Sequence, residues 1–264
     1  MKQQTERFTP AALTLSVVTA ALADGIPQSV SVCRALWLGA VSAVCLCILS
    51  ALAVAMLQNK APSLAVRLAL TAGLFMELVH TLVQAQGLCT AEFSSMALLG
   101  FLPLLLWAGW QMPARAWGAP AQVLWWFVAV GSAVCLMGLA RQMHWAGLFA
   151  QAAPKSTAFT VPVYAEYFAV PLLCGREERR DACLPILTAL VQTAATLGMA
   201  LVFGRTYPAR ELLRAWSTGT FSRLDAALLL VWLTCAIFRI GVLCTAIRML
   251  GQEYAIQKRK EVRQ

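Results

Sequence analysis

Long apolar runs recur along this chain and decide its fold class. The run from Ala35 to Leu57 carries no charged residue, and the run from Ala226 to Ile247 carries one, Arg239. Hydrophobic residues make up 60% of the chain and charged residues 12%, with a mean hydropathy of +0.70, whereas a soluble domain has roughly 25% charged residues. Apolar runs in a bilayer form helices or a closed barrel, and these runs lack strand-like alternation. We therefore predict an all-α, polytopic membrane helix bundle, with residues 1–264 as one integral membrane domain.

Eight such runs predict about eight transmembrane helices. They lie at about residues 10–23, 35–57, 64–84, 96–110, 121–140, 159–174, 182–203 and 221–250. An even number of crossings puts both termini on one side of the lipid bilayer. Thirteen basic residues then fall on the side of the termini and seven on the other, which predicts cytoplasmic termini, with residues 1–8 and 251–264 as tails. The stretch from Gln86 to Ser95 has no Lys or Arg, so we expect an external loop there.

The composition also argues against several functions. The formal charge of +9 comes from basic residues scattered between apolar runs, so the positive-inside rule explains it better than nucleic-acid binding does. The nine cysteines include no Cys-x-x-Cys pair, and most are expected to be packing residues. No nucleophile and base pair or phosphate-binding loop stands out. We therefore expect no enzyme activity, no cofactor and no metal site.

The first apolar run is interrupted at Asp24. Gly25 and Pro27 follow at once, and at membrane depth such a break frees backbone groups for a ligand. The alternative is a helix that ends at Asp24 and is followed by a surface turn.

The third run carries a line of polar residues. Glu77, His80, Thr81 and Gln84 occur at i, i+3, i+4 and i+7, which places them on one side of an otherwise apolar helix. We expect this side to face the bundle interior. It would then form either a ligand wall with Glu77 and His80 or a ladder of hydrogen bonds between helices.

The sixth run contains a carboxylate between two prolines. Pro162 and Pro171 bracket Tyr164, Glu166 and Tyr167, a pattern typical of a discontinuous membrane helix that lines a binding site. The alternative is a kinked helix in which Glu166 pairs with a buried arginine.

The last run supplies that arginine. Asp225, Trp232 and Arg239 are seven residues apart, so all three project from nearly the same side of one helix. A guanidinium at mid-membrane costs roughly 2.5 to 3.5 kcal/mol on insertion scales, so it needs a partner inside the bundle. Asp225 is about 21 Å along the helix, too far to pair, and we therefore expect Glu77 or Glu166 to neutralise Arg239.

The same region resembles a known family. Tyr207-Pro208 precedes a short amphipathic run at 209–216, Arg223-Leu224-Asp225 follows, and an apolar helix with Trp232 comes next. This order is similar to the late part of the spore germination permeases, the membrane B subunits of nutrient germinant receptors, within the amino acid/polyamine/organocation transporter superfamily. Those permeases also carry a Glu in the sixth helix, the helix that here holds Glu166.

The resemblance implies a fold and a role. The family has ten helices in two inverted repeats of five, so eight helices resemble an incomplete inverted-repeat transporter fold with broken helices 1 and 6. It implies a ligand site with Asp24, Gly25, Glu77, His80, Tyr164, Glu166 and Tyr167, and an ion pair or relay with Asp225 and Arg239.

Three functions remain open on these grounds. The first is a germinant-receptor subunit in the bacterial cell membrane or spore inner membrane, which binds a small molecule such as an amino acid and signals to partner subunits of the A and C types. The second is an amino-acid or cation transporter of the same superfamily. The third is a scaffold without transport, in which the polar residues only hold the bundle together.

Overall fold

The computed structural model describes residues 7–24, 32–59, 63–93, 97–140, 143–146, 163–174, 184–203 and 224–261. These ranges contain eight α-helices, one short 3-10 helix (Ala114–Trp117) and no β-strand, so the predicted all-α class is confirmed for them. The α-helices are α1 (Pro10–Asp24), α2 (Val32–Asn59), α3 (Leu64–Phe93), α4 (Ala97–Gln111), α5 (Gly118–Leu139), α6 (Glu166–Leu173), α7 (Leu184–Phe203) and α8 (Leu224–Glu261).

Three of the described helical segments are long and apolar enough to cross a membrane. They are Leu64–Ala91, Ala114–Leu139 and Ala227–Gln252. The other apolar segments are shorter, at Pro10–Leu22, Ala40–Ala53, Leu98–Gln111 and Leu184–Met199. The protein thus has the helices of a membrane protein, since a span needs about 20 apolar residues and an internally satisfied backbone.

Several predicted boundaries were wrong. The external loop expected from Gln86 is helical as far as Phe93, because α3 continues through these residues. Pro171 does not bound α6 but lies inside it, near the end. The predicted tail at residues 251–264 is helical as far as Glu261, where α8 ends, and its cytoplasmic position stays a prediction. In α3 and α8 the helix extends past the change in polarity, because Gln, Glu, Lys and Arg are favourable helix residues. The amphipathic run at 209–216 lies outside the described residues.

Helix α8 is the centre of the bundle. In its apolar segment 61% of the residues are buried, against 17% in the corresponding segment of α3 and 18% in that of α5. It packs against α1, α3, α4 and α5, while α7 packs against α1 and α2. Because α8 is surrounded, side chains near its middle are in the interior of the protein.

Small residues let α4 approach α8 closely. A Cβ atom added to Gly109 would lie 3.1 Å from the Cα atom of Gly241. Thr245 donates a hydrogen bond from Oγ1 to the Gly109 carbonyl at 2.7 Å and accepts one from Nε1 of Trp117 at 2.9 Å. The Trp117 ring also packs edge-on against Phe238, with ring centroids 5.5 Å apart. Small residues and hydroxyl hydrogen bonds of this kind join helices in membranes.

The C-terminal end of α4 is held by a second arginine of α8. Arg248 donates hydrogen bonds from Nη1 to the Trp110 carbonyl at 2.7 Å and from Nη2 to the Met112 carbonyl at 2.9 Å. The last carbonyls of a helix lack partners within the helix and carry partial negative charge. Arg248 therefore fixes the position of α4 along α8.

Candidate functional site

Arg239 lies at the junction of four helices. Its side chain is fully buried in the middle of α8. Nη2 lies 2.8 Å from Oε2 of Glu77 on α3 and 3.0 Å from Oε1 of Glu166 on α6. Nη1 donates a hydrogen bond to the Ser16 carbonyl of α1 at 2.8 Å. The expected pairing of Arg239 with a glutamate is present, and both glutamates take part instead of one. We call Arg239, Glu77 and Glu166 the buried charge cluster.

Two tyrosines form one side of this cluster. The Tyr164 ring lies beneath the guanidinium, with Cζ of Arg239 5.5 Å from the ring centroid, in reach of a cation–π interaction. Tyr167 packs edge-on against Tyr164, with ring centroids 5.6 Å apart. Both tyrosines are buried. The short helix α6 and the two residues before it therefore bring Tyr164, Glu166 and Tyr167 close to Arg239, and their predicted role in binding a ligand stays a prediction.

Ser16 is a site residue that the sequence analysis missed. Its hydroxyl is buried and lies 3.4 Å from Oε1 of Glu166, while its carbonyl accepts from Arg239. The sequence feature that could have identified Ser16 is a hydroxyl residue in the middle of an apolar helix. Such a side chain commonly forms a hydrogen bond to another helix. Ser16 connects α1 to α6 and α8 at one point.

The charges of the cluster do not balance. Two carboxylates share one guanidinium, so the ionised cluster has a formal charge of −1. Oε2 of Glu166 and Nε of Arg239 are buried and have no hydrogen-bond partner among the described residues. Buried polar atoms are normally satisfied, and one that is not is a sign of a ligand, an ion or a water. The cluster therefore has a place for a group with positive charge or a proton.

The four polar residues that were predicted to share one side of α3 do not all face the bundle interior. Glu77 points to Arg239 and Thr81 is buried, but His80 is exposed and Gln84 is only half-buried. The expectation that all four residues face the interior was therefore wrong for His80. The buried side of α3 is centred on Leu74, Leu78 and Ala85, and His80 is turned from that direction by roughly 140° at 100° per residue.

The remaining predicted site residues are at helix ends. Asp24 is the last residue of α1, and Asp225 is the second residue of α8. Their side chains, and Gly25, lie outside what the structure describes. The interruption after Asp24 therefore stays a prediction. Trp232 is half-buried against Ala85 and Leu98, on the side of α8 that faces α3 and α4.

No group of three His, Cys, Asp or Glu side chains within the described ranges is placed to hold a metal ion.

Comparison with protein family models, with curated proteins and with solved structures finds no match to this chain.

Proposed function

We propose that this protein is a membrane-embedded receptor for a small metabolite with a protonated amino group, such as an amino acid, and that the ligand binds at the buried charge cluster. The protein would act as the membrane subunit of a spore nutrient-germinant receptor, which signals to partner subunits of the A and C types. The observation that carries the proposal is Oε2 of Glu166, a buried carboxylate oxygen without a partner in a cluster with excess negative charge.

An ammonium group fits this position chemically. It carries one positive charge, which brings the formal charge of the cluster to zero, and its N–H groups are donors that a carboxylate oxygen accepts. The interior of the bundle strengthens such a pair because the local dielectric is lower than that of water. The Tyr164 ring, which already lies beneath Arg239, adds an aromatic surface that attracts cations.

The buried charge cluster contacts four helices, and a receptor would have to change their relative positions when its ligand binds. Arg239 and its partners belong to α8, α3, α6 and α1. A ligand that competes for Glu166 changes the balance of contacts between α6 and α8. A ligand shifts a conformational equilibrium only through such a difference in contacts between two states. The site is therefore suited to transmit binding to the outer surface of the bundle.

A second candidate is a transporter of the same superfamily that couples its substrate to a proton. The two carboxylates beside Arg239, Glu77 and Glu166, favour it, since acidic residues inside a membrane bundle are the groups that proton-coupled transporters use. In this function Glu166 would carry the proton.

A thermal-shift experiment on the purified full-length protein tests both proposals. Amino acids are compared with their N-acetyl derivatives, which keep the side chain and carboxylate but lose the positive charge. A ligand at about 100 times its Kd should stabilise the protein by about 2.7 kcal/mol. We expect stabilisation by a free amino acid, none by its N-acetyl form, and loss of the effect in Glu166→Gln.

Thr234→Val is the matched control, because Thr234 lies on the exposed side of the same helix as Arg239 and should keep the full response. Stabilisation without uptake into vesicles supports the receptor, and uptake driven by a pH gradient supports the transporter. If no free amino acid stabilises the protein, the ammonium ligand is ruled out and the scaffold function is favoured.

A further inference from the structure

Two buried atoms beside the ion pair of Arg239 and Glu166 have no hydrogen-bond partner among the described residues. Oε2 of Glu166 is an acceptor, and Nε of Arg239 is a donor. The side chain of Arg239 is fully buried and that of Glu166 is 1% exposed. Buried polar atoms are normally satisfied. The proposed ammonium accounts for Oε2 of Glu166 but leaves Nε of Arg239 without an acceptor.

The two atoms lie close together. Nη2 of Arg239 lies 3.0 Å from Oε1 of Glu166. Nε belongs to the same planar guanidinium as Nη2, and Oε2 belongs to the same carboxylate as Oε1, so each atom without a partner is next to that ion pair. An ammonium has only donors. A ligand that satisfies both atoms therefore needs an acceptor within a few bonds of its ammonium group.

The charges around Arg239 decide which acceptor suits this position. Oε2 of Glu77 lies 2.8 Å from Nη2, and Oε1 of Glu166 lies 3.0 Å from it, so the guanidinium already faces two carboxylates. A ligand carboxylate at Nε would be the third. Like charges repel strongly in a buried site, where the local dielectric is lower than that of water. A hydroxyl or carboxamide oxygen accepts from Nε without this repulsion.

We infer that Nε of Arg239 is a second ligand contact and that the site selects a small primary amine with a neutral oxygen acceptor on the adjacent carbon. Amino alcohols and amino acid amides have this chemistry, and they should bind more tightly than the zwitterionic amino acid. This ligand class rests on the proposed function, in which the ammonium binds at Oε2 of Glu166. Arg239 then sets the specificity of the site in addition to joining its helices.

The experiment compares ligands that share a side chain, using the purified full-length protein and apparent Kd values from thermal shifts over a concentration series. For each amino acid that stabilises the protein, the series contains the amino acid, its amide, its amino alcohol, and the amine in which a methyl group replaces the hydroxyl of that alcohol. We expect the amide and the amino alcohol to bind about tenfold more tightly than the other two compounds, the difference that one hydrogen bond to a charged group makes.

Glu77→Gln tests the repulsion directly. Glutamine keeps an oxygen that can accept from Nη2 of Arg239 but removes one of the two negative charges. The preference for the amide over the amino acid should therefore fall by about threefold or more. Thr71→Val is the matched control on the same helix, because the Thr71 hydroxyl bonds to the Arg67 carbonyl and the change leaves the charges around Arg239 as they are. It should keep the wild-type order of ligands.

The outcomes separate this ligand class from the proposed function. If no free amino acid stabilises the protein, both are wrong. An amino acid that binds as tightly as its amide and its amino alcohol leaves the proposed function intact and rejects the neutral acceptor. Equal binding of the amino alcohol and its methyl analogue rejects Nε as a ligand contact, the result expected if a water fills that place. A folded Glu77→Gln protein with the wild-type preference shows that repulsion between carboxylates does not set the specificity. If this variant does not fold, the order of ligands on the wild type decides.

Discussion

Nη2 of Arg239 donates a 2.8 Å hydrogen bond to Oε2 of Glu77, although the two residues are 162 positions apart in the sequence. Oε1 of Glu166 lies 3.0 Å from the same nitrogen and forms a second ion pair with it. One guanidinium thus holds together three helices, and a fourth is attached through the Ser16 carbonyl. The cluster therefore joins four helices, and the proposed ligand would bind at Oε2 of Glu166, the carboxylate oxygen without a hydrogen-bond partner among the described residues.

The first prediction concerns the cost of breaking the cluster. Arg239→Leu leaves two buried carboxylates without their cation, which typically costs about 3 to 5 kcal/mol. We expect a large loss of folded protein, measured as the monodisperse fraction in detergent. Adding Glu77→Gln and Glu166→Gln removes the unpaired charges and should restore part of the yield.

A single additional Gln should rescue Arg239→Leu less than both together, because both glutamates contact the arginine. If the triple variant is no better than Arg239→Leu, the lost contacts to Ser16 and the packing of the arginine stem dominate, and charge is not the cause.

The second prediction uses the close contact between α4, α8 and the 3-10 helix. A Cβ atom added to Gly241 would lie 2.1 Å from the Trp117 ring, a distance that forces the ring or the helix to move. Gly241→Ala should therefore destabilise the protein by about 1 to 3 kcal/mol, as overpacking of a core does. The measurement is the unfolding midpoint in detergent.

Gly100→Ala is the control for this change, since its new methyl group meets no atom and alanine is the better helix former. It should leave the midpoint unchanged or raise it. Equal losses in Gly241→Ala and Gly100→Ala would show that Trp117 does not pack on Gly241 as described.

The third prediction tests the hydrogen bond between Trp117 and Thr245. Thr245→Val leaves the indole N–H without its acceptor at 2.9 Å and removes the bond to the Gly109 carbonyl, at a cost of about 1 to 3 kcal/mol. Trp117→Phe removes the indole N–H as well. In a double-mutant cycle the two changes should therefore be less than additive. Full additivity would mean that the bond contributes nothing to stability.

The fourth prediction concerns topology. Eight crossings with cytoplasmic termini put the end of α3 outside and the end of α8 inside. A reporter fused after Glu92 should therefore show external activity, and a fusion at the C-terminus should show cytoplasmic activity. Both reporters on one side of the membrane would contradict the eight-helix topology.

The sequence alone determined the all-α class of the described residues and the approximate positions of their helices. Long apolar runs have few ways to satisfy their backbone in lipid, so their number and location predict helices directly. The same reasoning identified Arg239 as a buried charge that needs an acidic partner, because the cost of burying it unpaired is large wherever it lies. The prolines near Tyr164, Glu166 and Tyr167 led to the prediction that these three residues bind a ligand, and the structure places them close to Arg239.

Only the tertiary structure decided how each helix is rotated and which groups meet. The helical period gives the angles between the side chains of one helix, but it does not say which side of that helix faces the rest of the bundle. For that reason Glu77 and His80 looked equivalent in the sequence, although one contacts Arg239 and the other faces outward. The shared use of Arg239 by both glutamates and by the Ser16 carbonyl depends on contacts between residues far apart in the chain, and these are fixed by the packing of whole helices around α8.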